Sequence, residues 1–151
     1  MQKADATSPN RFPNAPEICE LAPPPPFGSL LAGARARGVA DGFAWLGLAA
    51  ILIDDRGEAL HVNHAAVELM GEFVYLEAGR LRARDARTDY SLAAAVRAAL
   101  VEGPPSRVEI GPGGDLVAHI AAMPADPDDP YQLLRAVVLL RRDRERSSAR
   151  H

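Results

Sequence analysis

The sequence predicts an α+β domain built on a five-stranded antiparallel sheet with helices on one face. Three observations carry that prediction. Two pairs of short apolar strands are each joined by turn chemistry, Asp54-Asp55-Arg56-Gly57 in one pair and Gly111-Pro112-Gly113-Gly114-Asp115 in the other. Two amphipathic segments, His64–Met70 and Tyr90–Val101, lie between the hairpins. A final run, Leu133–Leu140, is almost wholly apolar, as befits a central strand covered on both faces.

In chain order, residues 1–28 hold seven of the thirteen prolines, including the run Pro23-Pro24-Pro25-Pro26. Proline fixes φ and removes a donor, so this segment is expected to be a disordered, locally stiff tether rather than a helix or strand. Residues 29–44 turn helical, with Leu30, Leu31, Ala34, Val39 and Phe43 near helical spacing. Gly33, Gly38 and Gly42 each weaken a helix by about 1 kcal/mol relative to Ala, so a short or broken helix is expected, packed on the domain or on a second copy.

The folded domain is expected over residues 45–143. Leu48–Ile53 and Glu58–Asn63 form the first hairpin, the second strand alternating Leu60 and Val62 with His61. Asn63 stands where a helix N-cap belongs, ahead of His64–Met70, which Gly71 ends. Glu72–Arg87 reads as irregular. Thr88 or Asp89 is placed to cap the helix Tyr90–Val101, whose Leu92, Val96 and Leu100 recur every four residues until Gly103-Pro104-Pro105 stops it. Arg107–Ile110 and Leu116–Met123 form the second hairpin, and Pro124–Pro130 is an acidic, proline-rich loop before the last strand. Residues 144–151 are expected to be a charged tail.

Composition narrows the function classes. The 151 residues carry a formal charge of −3 and one cysteine, Cys19. That excludes an intramolecular disulfide framework and a cysteine-cluster zinc site, and it argues against a dedicated nucleic-acid binder. No apolar run is long enough to span a membrane and no apolar stretch follows Met1-Gln2-Lys3, so a cytoplasmic protein is expected. Lys3 is the only lysine among 17 basic residues, a bias that discounts the arginines at 80, 82, 84 and 87 as a phosphate site.

The stretch Ala50-Ile51-Leu52-Ile53-Asp54-Asp55-Arg56-Gly57-Glu58-Ala59-Leu60-His61-Val62-Asn63-His64-Ala65-Ala66-Val67-Glu68-Leu69-Met70-Gly71 resembles the opening of a PAS domain: apolar strand, Asp/Gly turn, second strand ending in Asn, short helix. The likeness runs over about Phe43 to Asp143, by strand order beyond the first third. Gly79-Arg80-Leu81-Arg82-Ala83-Arg84-Asp85 before an Ala-rich helix is similar to the PAS-like sensor region preceding a LuxR-type helix-turn-helix. With eleven residues after Leu140, the sensor-like part is expected without the helix-turn-helix, and direct nucleic-acid binding is not expected.

The resemblance implies sensing or protein–protein interaction rather than catalysis, with a homodimer formed through the N-terminal helix and a signalling protein as partner. It places any ligand between helices and sheet, against Met70, Leu92, Val96, Val108, Ile110 and Ile120, which otherwise serve as plain core. The identity of a cofactor is not given. A flavin–cysteinyl adduct is excluded, as is a thiol-linked chromophore, because Cys19 lies outside the domain. A haem is not expected, since Tyr90–Val101 has no histidine, leaving only His64 or His119 as unconventional ligands.

Other polar residues are weighed singly. His119 is the polar pocket candidate if its strand face turns inward, but Leu116, Ala118, Ile120 and Ala122 make the better core face. His61 and His64 straddle a strand–helix boundary and do not make a metal pair. Asp126, Asp128 and Asp129 alternate with prolines and lack the bidentate Glu of a calcium loop. A filled-core adaptor is the rival to a ligand sensor. A small enzyme would need His119 and Arg135 to converge with a carboxylate.

Overall fold

A computed structural model describes residues 26–129 and 132–144. Of the tether expected over residues 1–28, residues 1–25 lie outside the described residues and 26–28 instead open the first helix; the charged tail after Arg144 also lies outside them. The elements are α1 (Pro26–Trp45), β1 (Ala49–Ile53), β2 (Ala59–Val62), α2 (His64–Leu69), β3 (Val74–Glu77), β4 (Arg80–Ala83), α3 (Ala86–Leu100), β5 (Ser106–Ile110), β6 (Leu116–Ala122) and β7 (Ala136–Arg142). Five strands form one antiparallel sheet in the order β2-β1-β7-β6-β5, and β3 with β4 makes a separate hairpin. The expected α+β class with a five-stranded antiparallel sheet is what the chain adopts.

Two cores lie on opposite faces of the sheet. On the inner face Ile51, Ile53, Ile110, Ile120 and Val138 pack against Ala66 of α2, Leu92, Val96 and Ala99 of α3, and Val74 and Leu81 of the hairpin. On the outer face Ala36 and Ala40 of α1 pack against Ala50, Leu52 and Val137, with Val39 and Phe43 at the margin. The strand β7 is therefore covered from both sides, which is why its sequence carries no polar alternation.

α1 is one unbroken helix of 20 residues, where a short or broken one was expected. Gly33, Gly38 and Gly42 point at open space, and the stripe facing the sheet is the buried Ala36 and Ala40 with the half-buried Val39 and Phe43. Packing thus outweighs the propensity cost. The small alanines let the helix lie close to the sheet, whereas Ala34, counted into the apolar stripe from sequence, is exposed. Gly47 (φ +73) ends α1: its N–H donates to the Ala44 carbonyl at 2.9 Å, and the Leu48 N–H to Phe43 at 2.9 Å. That is a Schellman closure, which needs the left-handed residue glycine supplies.

Asn63 joins the layers. It is 3% exposed, the buried polar residue among the described ones. Its Oδ1 accepts from the Ala50 and Ala66 amides at 3.0 Å each, and its Nδ2 donates to the Leu48 carbonyl at 2.9 Å and the Ala40 carbonyl at 3.3 Å. The expected N-cap role holds, since the Ala66 bond caps α2. The other three bonds tie α1 and β1 to it, so every hydrogen-bonding capacity of the amide is used.

The segment read as irregular folds as the β3–β4 hairpin. Ala78 (φ +50) and Gly79 (φ +78) form its two-residue turn, and two consecutive positive φ values match the twist of the strands. In β4 the buried Leu81 and Ala83 alternate with Arg80 and Arg82, but β3 buries only Val74, so the strand pattern is weak in the sequence. α3 starts four residues earlier than expected, capped by Asp85 rather than Thr88 or Asp89. Asp89 instead reaches back to the hairpin, accepting from Arg82 at 2.7 Å and from the Ala83 amide at 2.9 Å. The Arg82 guanidinium and the Ala83 N–H hold the Asp89 carboxyl below its ordinary value of 3.8. Bonds from Thr88 do the same for Asp85.

Candidate functional site

The six residues expected to line a ligand pocket are brought together, as packing partners. Leu92, Val96, Val108, Ile110 and Ile120 are all buried in the inner core, and Met70 packs against its margin. Among the described residues, none of the larger cavities is lined by Leu92, Val96, Ile110 or Ile120. Val108 and Met70 border shallow grooves on the surface instead. Two open clefts of about 770 and 400 Å³ lie at the end of β7 beside Arg142, Asp143 and Arg144.

The polar pocket candidate does not face the inner core. His119 is exposed on the outer face of β6, while Leu116, Ala118 and Ile120 point inward. The pairing of β6 with β7 sets His119 opposite Leu139. Arg135 precedes β7 and bonds through its N–H to the Ile53 carbonyl at 2.8 Å, four residues from Leu139. At about 3.3 Å per residue the two side chains root roughly 13 Å apart, so they do not converge. His61 pairs opposite Leu52, and His64 stands exposed on α2, 3.2 Å from Glu68. Among the described residues no three His, Cys, Asp or Glu side chains gather as a metal site. No helix among them is long and apolar enough to cross a membrane.

No family model, no curated protein and no solved structure matches this chain. A functional reading therefore has to come from the residues and their geometry.

The helix on the outer face ends in an exposed apolar pair. At the C-terminal end of α1, Trp45 is 91% and Leu46 74% exposed. A tryptophan left in water forgoes its large apolar burial, and tryptophan is among the residues enriched at the anchors of protein contacts. The helix expected from the sequence ends at Ala44, one residue short of Trp45. The signal was there: an aromatic–aliphatic pair directly before the helix-ending Gly47, off the buried stripe.

On the same face a groove of about 220 Å³ runs between α1 and the loop before β7. Ala36, Val39, Met123, Leu133 and Leu134 form its apolar walls. Its rim is held by the Arg35–Asp129 ion pair. The acidic loop is ordered by Gln132, whose Nε2 donates to the Pro124 carbonyl at 2.9 Å and to the Leu134 carbonyl at 3.3 Å. Within it, Asp126 accepts from the Asp128 amide at 2.9 Å. Its acidic side chains thus serve the turn and the ion pair to α1.

Proposed function

We propose that this chain is a non-enzymatic interaction module of PAS-like design: an adaptor with a filled core that works as a homodimer and docks a regulatory protein partner. The setting the resemblance implies is cytoplasmic transcriptional or two-component signalling. The observation that carries the reading is the filled inner core. A sensor of this design needs a cavity of roughly 300 Å³ or more between helices and sheet. The residues that would line it instead fill that space with one another. The exposed Trp45–Leu46 pair supplies the anchor that a docking surface needs.

Native mass spectrometry of the protein purified from its own host tests this. An adaptor should fly as an apo dimer. A stoichiometric small molecule bound to each chain would overturn the filled-core reading and restore the sensor.

A further inference from the structure

The sheet has two edge strands, β2 and β5, and among the described residues only β2 is guarded by a bulge and a covering segment. β2 has four residues, its pairing with β1 shifts register between Leu52 and Ile53, and the Ala59 N–H donates outward to the Gly79 carbonyl at 2.7 Å. Bulge, shortness and cover are the usual devices against edge-to-edge pairing. Among the described residues β5 shows neither bulge nor covering strand. Its five residues, Ser106-Arg107-Val108-Glu109-Ile110, contain no proline and pair with β6 in unbroken register, on one side only. Beside it runs an open groove of about 220 Å³, between Arg107, Val108 and Glu109 and the α3 residues Arg87, Thr88 and Ser91. The helix below therefore leaves the strand's edge accessible.

We propose that β5 pairs antiparallel with β5 of a second copy, about a two-fold axis at Val108, joining two sheets into one of ten strands. The charge pattern selects this occupant and this register. With Val108 opposite its own mate, Arg107 of each copy stands directly opposite Glu109 of the other. A two-fold axis normal to the sheet keeps outer faces outer, so only even shifts of register are allowed. A shift of two residues either way sets Arg107 against Arg107 or Glu109 against Glu109. Directly opposed opposite charges stabilise a strand pair and like charges weaken it. Within one chain Arg107 and Glu109 already meet at 3.0 Å, so both heads lie side by side on the outer face. Two five-residue edges bury less than the roughly 1,000 Å² of a stable interface, so the dimer is concentration-dependent.

This deepens the homodimeric part of the proposed function and rests on it. The test mixes two charge reversals, R107E and E109R, followed by native mass spectrometry and sedimentation. Each variant alone sets like charges together and should dimerise at least about tenfold more weakly than the wild type. Mixed together, the two should form the heterodimer, whose facing pairs are again opposite in sign. In the wild type, amide exchange at Arg107–Glu109 should slow as concentration rises, a readout that needs no variant. Variants that dimerise like the wild type, or amides indifferent to concentration while the protein dimerises, would overturn the β5 contact and leave the homodimer standing. A wild type that stays monomeric up to its solubility limit would overturn both.

Discussion

The two faces of the sheet are covered by opposite means. The inner face meets two helices and a hairpin through large side chains, Ile51, Ile53, Leu92, Ile110 and Ile120, each almost fully buried. The outer face meets one helix through alanines, Ala36 and Ala40 against Ala50, Leu52 and Val137. Burial contributes about 25 cal/mol per Å² of apolar surface, so the inner face carries most of the hydrophobic stabilisation. The outer face carries less and leaves Trp45 and Leu46 in water. The inner face therefore carries most of the fold's stability, and on the proposed function the outer one carries the contacts. Asn63 couples them, because its four hydrogen bonds reach α1, β1 and α2 together.

The sharpest way to break this contrast is to hollow the inner face. Leu92→Ala should cost about 2–5 kcal/mol in urea unfolding, the lost transfer energy plus the cavity left behind. The new cavity should then admit a small apolar molecule such as benzene, which raises the melting temperature of the variant and not of the wild type. Equal stabilisation of both by benzene would mean the wild-type core already has room, and the division of labour between the faces would fail.

What was legible in the sequence follows the same division. Inner-face elements announced themselves through period-2 and period-4 apolar patterns: Leu116, Ala118 and Ile120 on β6, and Leu92 and Val96 on α3, all face the core as read. The β3–β4 hairpin did not, because its exposed positions are arginines and its turn uses Ala78, a residue with no turn preference. Asp85 takes the cap expected of Thr88 or Asp89 for a similar reason. Capping sets a local preference that several acidic positions satisfy, and only the hairpin packed against α3 decides which carboxylate turns to Arg82. α1 was under-read because glycines facing solvent cost a helix little once its alanine stripe is packed. For the candidate site, the six expected lining residues do gather in or against the inner core, but whether they enclose a cavity depends on rotamers and close packing, which residue types alone do not specify.

A smaller effect tests how firmly the inner face is closed at its hairpin. The Asp89 carboxylate has a folded pKa below its ordinary 3.8 because Arg82 and the Ala83 N–H hold it ionised. A depressed pKa contributes stability that is complete above 3.8 and fades as pH falls through the folded value. Asp89→Asn should therefore cost about 1 kcal/mol near neutrality, in the range of a partly exposed, well-formed pair. The gap between wild type and variant should close as pH drops well below 3.8. Asp85, shifted in the same direction by Thr88, is unchanged in the variant, so some acid sensitivity remains. A gap that stays constant with pH would show that the carboxylate's charge does not matter to the clamp.

The smallest expected effect on the fold belongs to the outer face, and there the contrast becomes functional. Trp45 is almost wholly in water and belongs to neither core, so Trp45→Ala should change stability by no more than about 0.5 kcal/mol. If the outer face is for contacts, the same change should weaken docking of the protein partner by tenfold or more, the loss of one aromatic anchor. Intrinsic fluorescence gives a prior check without any partner. Trp45 is the sole tryptophan, and in the free protein its emission should be that of a hydrated indole, shifting to the blue when a partner covers it. Emission already blue in the free protein at every concentration would mean that something covers Trp45 within a single chain. The outer face would then be closed as the inner one is, and the division between a structural and a social face would be lost.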